Sequence, residues 1–284
     1  MLKSLYVSFY MMLAMVITVI GVRSLLATDD YLTWGGVLLT VAPFLLVLSW
    51  VMLFKNVART SARFPVLIVM GLIGVIAAAR GYTLGGSVLA PVLAVLGFVG
   101  FLIYDFWYSS FDRSGSRLRV GEMLPEFELT DVAGHVITSS SRTNNPAVWI
   151  FYRGNWCPLC MAQIKELAAQ YRQLEELGVR VALVSPQPHD FTIALARKHD
   201  FSSDFLTDKN NRAARALGIA SPNGIPAGMQ ALGYDSETVL PTVIITAAGG
   251  RILWVHETDN YRVRPEPATY LAVLRDNRVL DSAE

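Results

Sequence analysis

Four stretches without a charged side chain follow one another at the start of the chain. Nineteen residues separate Lys3 from Arg23, 24 separate Asp30 from Lys55, 16 separate Arg63 from Arg80, and 24 separate Arg80 from Asp105. A helix crossing a hydrocarbon core of ~30 Å needs about 20 such residues, within a range of roughly 17–25. The third stretch is short by this measure, and it gains length if Arg63 and Arg80 run their aliphatic stems outward to the interface. The pattern predicts an α-helical membrane bundle of four transmembrane helices over residues 1–112. Buried soluble helices would need an unusually large core to cover four such stretches in series. A cleavable signal peptide fits poorly, because the first stretch exceeds the roughly 7–15 residues of a signal h-region and Gly21-Val22-Arg23 is no small-residue cleavage site.

The pattern changes at Arg113. Residues 113–120, with Ser114-Gly115-Ser116, read as a linker, and 121–284 read as a separate domain in which short strand-like and helix-like segments alternate. Glu126–Thr130 and His135–Ser139 suit a hairpin around Ala133-Gly134. Ala147–Tyr152 is a continuous apolar run suited to a strand buried on both faces. Ile164, Leu167, Ala168, Tyr171, Leu174 and Leu177 recur at helical spacing, with Gly178 placed to stop the helix. Further strands are expected at Val179–Ser185, Phe205–Thr207, Thr242–Thr246 and Arg251–His256, and further helices at Phe191–His199, Arg212–Leu217 and Pro267–Leu274. This order predicts an α/β domain with a mixed central sheet flanked by helices.

Charge sharpens the division. Only nine charged residues fall in 1–108, among them no Glu and no His, although the whole chain is 17% charged and 53% hydrophobic with a mean hydropathy of +0.40. With the N-terminus inside, the inner loops hold Lys3, Lys55, Arg59, Arg63, Arg113, Arg117 and Arg119, and the outer loops only Arg23 and Arg80. That imbalance places both ends, and the second domain, in the cytoplasm of a multi-pass membrane protein. A net charge of +1 offers no field for nucleic acid, whose binding depends on cations neutralising phosphates.

The bundle holds no His and no Cys, which removes the usual haem ligands and any thiol relay. Asp105 precedes Phe106-Trp107-Tyr108, an interfacial aromatic belt, and reads as a solvated interface residue. Gly71/Gly74 and Gly97/Gly100 suggest close helix packing. Anchoring in the lipid bilayer is the simplest role for this part.

The chain has two cysteines, Cys157 and Cys160, in Gly154-Asn155-Trp156-Cys157-Pro158-Leu159-Cys160, where an expected strand gives way to an expected helix. Free N–H groups and the positive end of the macrodipole at a helix start both stabilise a thiolate. A Cys there has its pKa lowered from about 8.5 into the range ~3.5–7.5. Pro158 suits the first helical position. A zinc site lacks further paired ligands among His135, His189, His199 and His256. A purely structural disulfide would close too small a loop to stabilise much. Inert buried thiols remain the plainest competitor to a redox-active pair. His189 and His199 read as surface residues.

From about Val120 to Leu274 the sequence resembles the thioredoxin-like alkyl hydroperoxide reductase/thiol-specific antioxidant family of peroxiredoxin-like redoxins. Phe151 to Cys160 carries most of the resemblance. Gly121-Glu122-Met123-Leu124-Pro125-Glu126-Phe127 resembles that family's first strand, Val184-Ser185-Pro186-Gln187 its strand end after the first helix, and Leu240-Pro241-Thr242 the cis-proline loop that faces the thiols in thioredoxins. The resemblance implies a thioredoxin-like fold and a dithiol that reduces peroxides or disulfides, reset by an external thiol reductant, with no metal or organic cofactor. One departure matters. Where peroxiredoxins carry Pro-x-x-x-Thr-x-x-Cys, Arg153 takes the proline position, Cys157 the threonine position and Cys160 the peroxidatic position. In the thioredoxin frame Cys157 attacks and Cys160 resolves; the helix start and Trp156 favour this frame.

The expected site is therefore Cys157, Cys160, Trp156, Arg153 and Pro241. Arg153 either adds positive charge near the thiolate or is a solvated strand end, and Pro241 is expected as a cis residue leaving backbone edges free for an extended partner. A membrane-anchored thiol oxidoreductase is the leading reading, and a membrane tether with an inactive redoxin domain is the alternative.

Overall fold

The computed structural model describes residues 1–199 and 203–277, so the end of the domain expected over 121–284 lies outside the described residues. Contacts divide the chain into two compact units. One comprises Leu2–Lys55 and Ser61–Ser110; the other joins the short segment Asn56–Thr60 to the chain from Phe111 onward.

The first unit is helical: α1 (Leu2–Thr28), α2 (Tyr31–Phe54), α3 (Pro65–Thr83) and α4 (Leu89–Ile103), which runs on as a π-helical turn over Tyr104–Tyr108. All four are long and apolar enough to cross a membrane. The short third stretch gains its length by carrying Arg80 in the last turn of α3, where a cation also suits the helix dipole. The helices meet through small residues, as the glycine spacing suggested. A Cβ on Gly74 would lie 2.5 Å from the Gly36 carbonyl oxygen, and one on Gly97 would lie 2.6 Å from a Val41 methyl. Tyr10 donates from its hydroxyl to the Gly97 carbonyl at 3.2 Å.

Asp105 departs from expectation. It is fully buried, its Oδ2 accepts from the Phe64 N–H at 3.4 Å, and its carbonyl accepts from Arg63. The π-helical turn is the reason: the widened backbone turns Asp105 inward, while its neighbours Phe106 and Trp107 remain outside.

The second unit is built on a seven-stranded sheet. Its strands are β1 (Glu128–Thr130), β2 (Val136–Thr138), β3 (Ala147–Phe151), β4 (Arg180–Ser185), β5 (Asp204–Thr207), β8 (Thr242–Thr246) and β9 (Ile252–Glu257), and β6 (Ala220–Ser221) pairs separately with β7 (Thr238–Val239). The sheet order is β2-β1-β5-β4-β3-β8-β9. Strands β3, β4 and β5 run parallel, linked by α5 (Pro158–Glu176) and α6 (His189–Lys198), whereas β8 and β9 run antiparallel. Two shorter helices, α7 (Arg212–Ala216) and α8 (Pro267–Asp276), complete the domain. The mixed sheet expected from the sequence is present; the small β6–β7 pair, two residues a side, carries too little pattern to be read in advance.

Strand β3 is buried along its whole length, with Trp149 and Phe151 at 0–1% exposure beside Phe127, Val184 and Ile244. Each such side chain contributes about 1.5–3 kcal/mol by leaving water. This central strand ends at the thiol motif, so a fully buried strand aims the site. The segment read as a linker lies on this domain: Leu118 is buried and Arg113 binds the carbonyls of Thr258 and Pro241.

Candidate active site

Beyond Phe151 the chain makes a loop whose shape needs glycine. Gly154 has φ +142°, and a Cβ there would lie 2.7 Å from Trp156 Nε1. The loop is braced from outside: the Asn155 N–H donates to Gln187 Oε1 at 2.7 Å, and Tyr234 donates to Asn155 Oδ1. Gln187 is itself held by Tyr152 and Thr192, each at 3.2 Å from its Nε2.

Cys157 is the N-cap of α5, with extended backbone, and Pro158 follows at the first helical position. Its sulfur accepts the Cys160 N–H at 3.3 Å. One of the unpaired N–H groups of the first turn is thus spent on sulfur, the arrangement that favours a thiolate. Cys157 and Cys160 are joined as a disulfide, with Cα atoms 5.3 Å apart. Cys160 is fully buried and Cys157 is 3% exposed.

Arg153 is not a solvated strand end. It is buried at 5% exposure, donates to the Gly224 carbonyl, and stacks with its guanidinium 4.7 Å from the Trp156 ring centroid and 5.6 Å from that of Tyr261. Trp156 is thereby clamped against a cation next to the thiols.

Pro241 follows β7 and opens β8, whose Thr242 pairs with Phe151, so it lies at the end of β3 from which the thiol loop departs. The expected cis bond is absent: no peptide bond among the described residues is cis. The trans form is the one intrinsically favoured, by about 0.5–1 kcal/mol. The Leu240 N–H donates to the Ile219 carbonyl at 2.8 Å, and Arg113 donates to the Pro241 carbonyl at 2.6 Å and to Thr242 Oγ1 at 2.9 Å. The Pro241 carbonyl is consequently occupied rather than open to an extended partner.

Sequence reasoning missed a cation beside the buried sulfur. Arg264 Nη2 lies 3.6 Å from Cys160 Sγ, and Nη1 donates to Gln163 Oε1 at 3.2 Å. Gln163 in turn donates to the Tyr270 hydroxyl at 3.2 Å. Burial, reinforced by the nearby charge of Arg153, lowers the Arg264 pKa to about 9, which leaves it cationic at neutral pH. Burial likewise lowers Arg113 to about 10, against the pull of Glu257 and Asp259. The signal available in sequence was Arg262-Val263-Arg264 before Pro265, two cations around an apolar residue. His189, read as a surface residue, opens α6 half-buried with Nδ1 2.9 Å from Thr207 Oγ1.

Residues 120–255 match the AhpC/TSA family. The thiol-disulfide oxidoreductase ResA of Halalkalibacterium halodurans is 24% identical over 170 residues, covering 60% of this chain and 82% of its own. The chloroplastic peroxiredoxin Q of Triticum aestivum is 25% identical over 125 residues, covering 44% and 58%. Among solved structures, peroxidoxin BcpB from Mycobacterium tuberculosis aligns with a TM-score of 0.47 at 19% identity, over 56% of this chain and 98% of that one. Over residues 120–255 the chain thus resembles the AhpC/TSA family, and its relatives there include a thiol-disulfide oxidoreductase and a peroxiredoxin.

Proposed function

We propose that the protein is a membrane-anchored thiol–disulfide oxidoreductase in which Cys157 is the attacking thiol and Cys160 the resolving one. The carrying observation is that the Cys157 sulfur caps α5 on the Cys160 N–H while Arg264 stands at the Cys160 sulfur. The Cys157 thiolate attacks one sulfur of a substrate disulfide and expels the other as a thiolate. Cys160 then attacks the Cys157 sulfur of the mixed disulfide, releasing the second substrate thiol and leaving Cys157–Cys160 oxidised, two electrons having passed to the substrate. An external thiol reductant reverses the change, and Arg264 stabilises Cys160 when it leaves as a thiolate.

A peroxidase reading is favoured by one specific feature. In the peroxiredoxin frame Cys160 takes the peroxidatic position, and the cation at its sulfur would promote attack on one peroxide oxygen, breaking the O–O bond with release of the other oxygen as alcohol or water and leaving a sulfenic acid that Cys157 condenses to the disulfide with loss of a second water. Single Cys157→Ser and Cys160→Ser variants of the full chain, assayed for disulfide reduction and for hydrogen peroxide consumption, separate the readings. Loss of disulfide reduction with only slow peroxide turnover in the parent supports the first; rapid peroxide turnover abolished by Cys160→Ser alone supports the second. Variants indistinguishable from the parent in both assays leave the membrane-tether alternative.

We infer that the redox domain faces the cytoplasm. The excess of Lys and Arg in the inner loops supports this, as does the inclusion of Asn56–Thr60, the connection between α2 and α3, in the same compact unit as the redox domain. A membrane-impermeant maleimide applied to intact cells after reduction is expected to leave Cys157 and Cys160 unlabelled, and labelling would reverse the assignment.

A further inference from the structure

Arg59 lies in the connection between α2 and α3, far in sequence from the thiols, yet its guanidinium spans two sides of the redox site. It engages both carboxylate oxygens of Glu166 on α5, the helix that carries Cys160. It also reaches the Pro265 carbonyl at 3.5 Å and Glu266 Oε1 at 3.6 Å. Beside it the Thr60 N–H donates to the Arg262 carbonyl at 3.0 Å, and Ala58 is buried at 2% exposure. The stretch Arg262 to Glu266 is the one that presents Arg264 to Cys160. Tyr270, hydrogen-bonded to Gln163, feels the charges of Arg264, Arg59 and Glu166 together.

From this chain of contacts we propose that Arg59 is a positioning residue of the dithiol site. It holds the Arg262–Glu266 stretch against α5, so that Arg264 keeps its contact with Cys160, and it neutralises Glu166, whose free carboxylate would oppose a thiolate on the same helix. The connection between two apolar helices thus tunes the reactivity of the cysteine pair. The proposal rests on the reading of Cys157 and Cys160 as a working dithiol.

The test uses the full chain, reduced and detergent-solubilised, and follows the pH dependence of iodoacetamide alkylation together with thermal unfolding. Arg59→Gln is expected to raise the apparent thiol pKa and slow alkylation at pH 7 by about two- to fivefold at low salt, since one partly exposed charge is uncovered near the site. Arg59→Gln combined with Glu166→Gln is expected to recover part of the parent rate, because the uncovered carboxylate is gone while the Arg262–Glu266 stretch is still unheld. Arg59→Lys, which keeps the charge, is expected to stay near the parent. If Arg59→Gln alkylates like the parent, the positioning role is wrong while the dithiol reading stands. If the double variant is no faster than Arg59→Gln, the uncovered Glu166 carboxylate does nothing at the thiols and the charge-neutralising part of the proposal is overturned. If the parent thiols react no faster than free cysteine, both readings fall together.

Discussion

Arg264 and Cys160 are 104 residues apart in the chain, and the guanidinium of one lies 3.6 Å from the sulfur of the other. A buried cation at this distance favours the reduced, thiolate-bearing form over the disulfide, because only the former offers it a negative charge. Replacing Arg264 by Met, of comparable length and no charge, is therefore expected to make the Cys157–Cys160 couple more reducing. A shift of one decade or more in the equilibrium with a glutathione buffer corresponds to about 30 mV. An unchanged equilibrium would mean that the cation does no electrostatic work at the sulfur.

Arg153 acts on Trp156 through stacking, and stacking needs a planar cation. Arg153→Lys keeps the charge but loses the flat face held against the Trp156 and Tyr261 rings. With cation–π contacts contributing about 0.5–2 kcal/mol, disulfide reduction is expected to slow by roughly two- to thirtyfold. Trp156 fluorescence is expected to shift in the same variant, and parent-like rate and emission together would refute the clamp.

Asp208 links the fold to pH. It is buried, its two oxygens accept the Ala213 and Ala214 N–H groups at 2.9 Å each, and burial raises its pKa to about 6 despite those bonds. A carboxyl group whose folded pKa stands above its unfolded value binds its proton more tightly in the folded state. Its stabilising contribution is full below about pH 4 and is lost as pH rises through about 6. Measured as thermal unfolding midpoints, the parent is expected to gain on Asp208→Asn between pH 7 and pH 4.5. A gap that stays constant or moves the other way would contradict the assignment.

Gly74 tests the separation of anchor and chemistry. A side chain there meets the Gly36 carbonyl at 2.5 Å, a backbone atom that cannot move aside cheaply. Gly74→Val is expected to lower the thermal stability of the detergent-solubilised protein while leaving the thiol pKa unchanged; an altered pKa would tie helix packing to the site.

The parts of this structure legible in the sequence are those set by local rules. Apolar length marked the four helices, an unbroken run marked β3, and Gly178, at φ +67°, marked the end of α5. The position of Cys157 at a helix start followed from the same strand-to-helix change. What stayed hidden depends on distant contacts. Arg264 reaches Cys160 only because β9 and the following turn return to α5, and Arg59 reaches Glu166 across 107 residues. At Pro241 the expectation of a free backbone edge failed for a related reason: Arg113, 128 residues earlier, takes its carbonyl. Asp105 looked solvated because a π-helical turn leaves no trace in apolar spacing.

Cys157 is expected to be ionised near neutral pH because the first turn of α5 directs an N–H group at its sulfur. Thiolate absorbance near 240 nm, followed from pH 4 to 10 on the reduced full chain and on Cys160→Ser, measures this directly. The expected result is a transition in Cys160→Ser below about pH 7.5, well under the ~8.5 of free cysteine. A transition at or above 8.5 in both proteins would contradict the account.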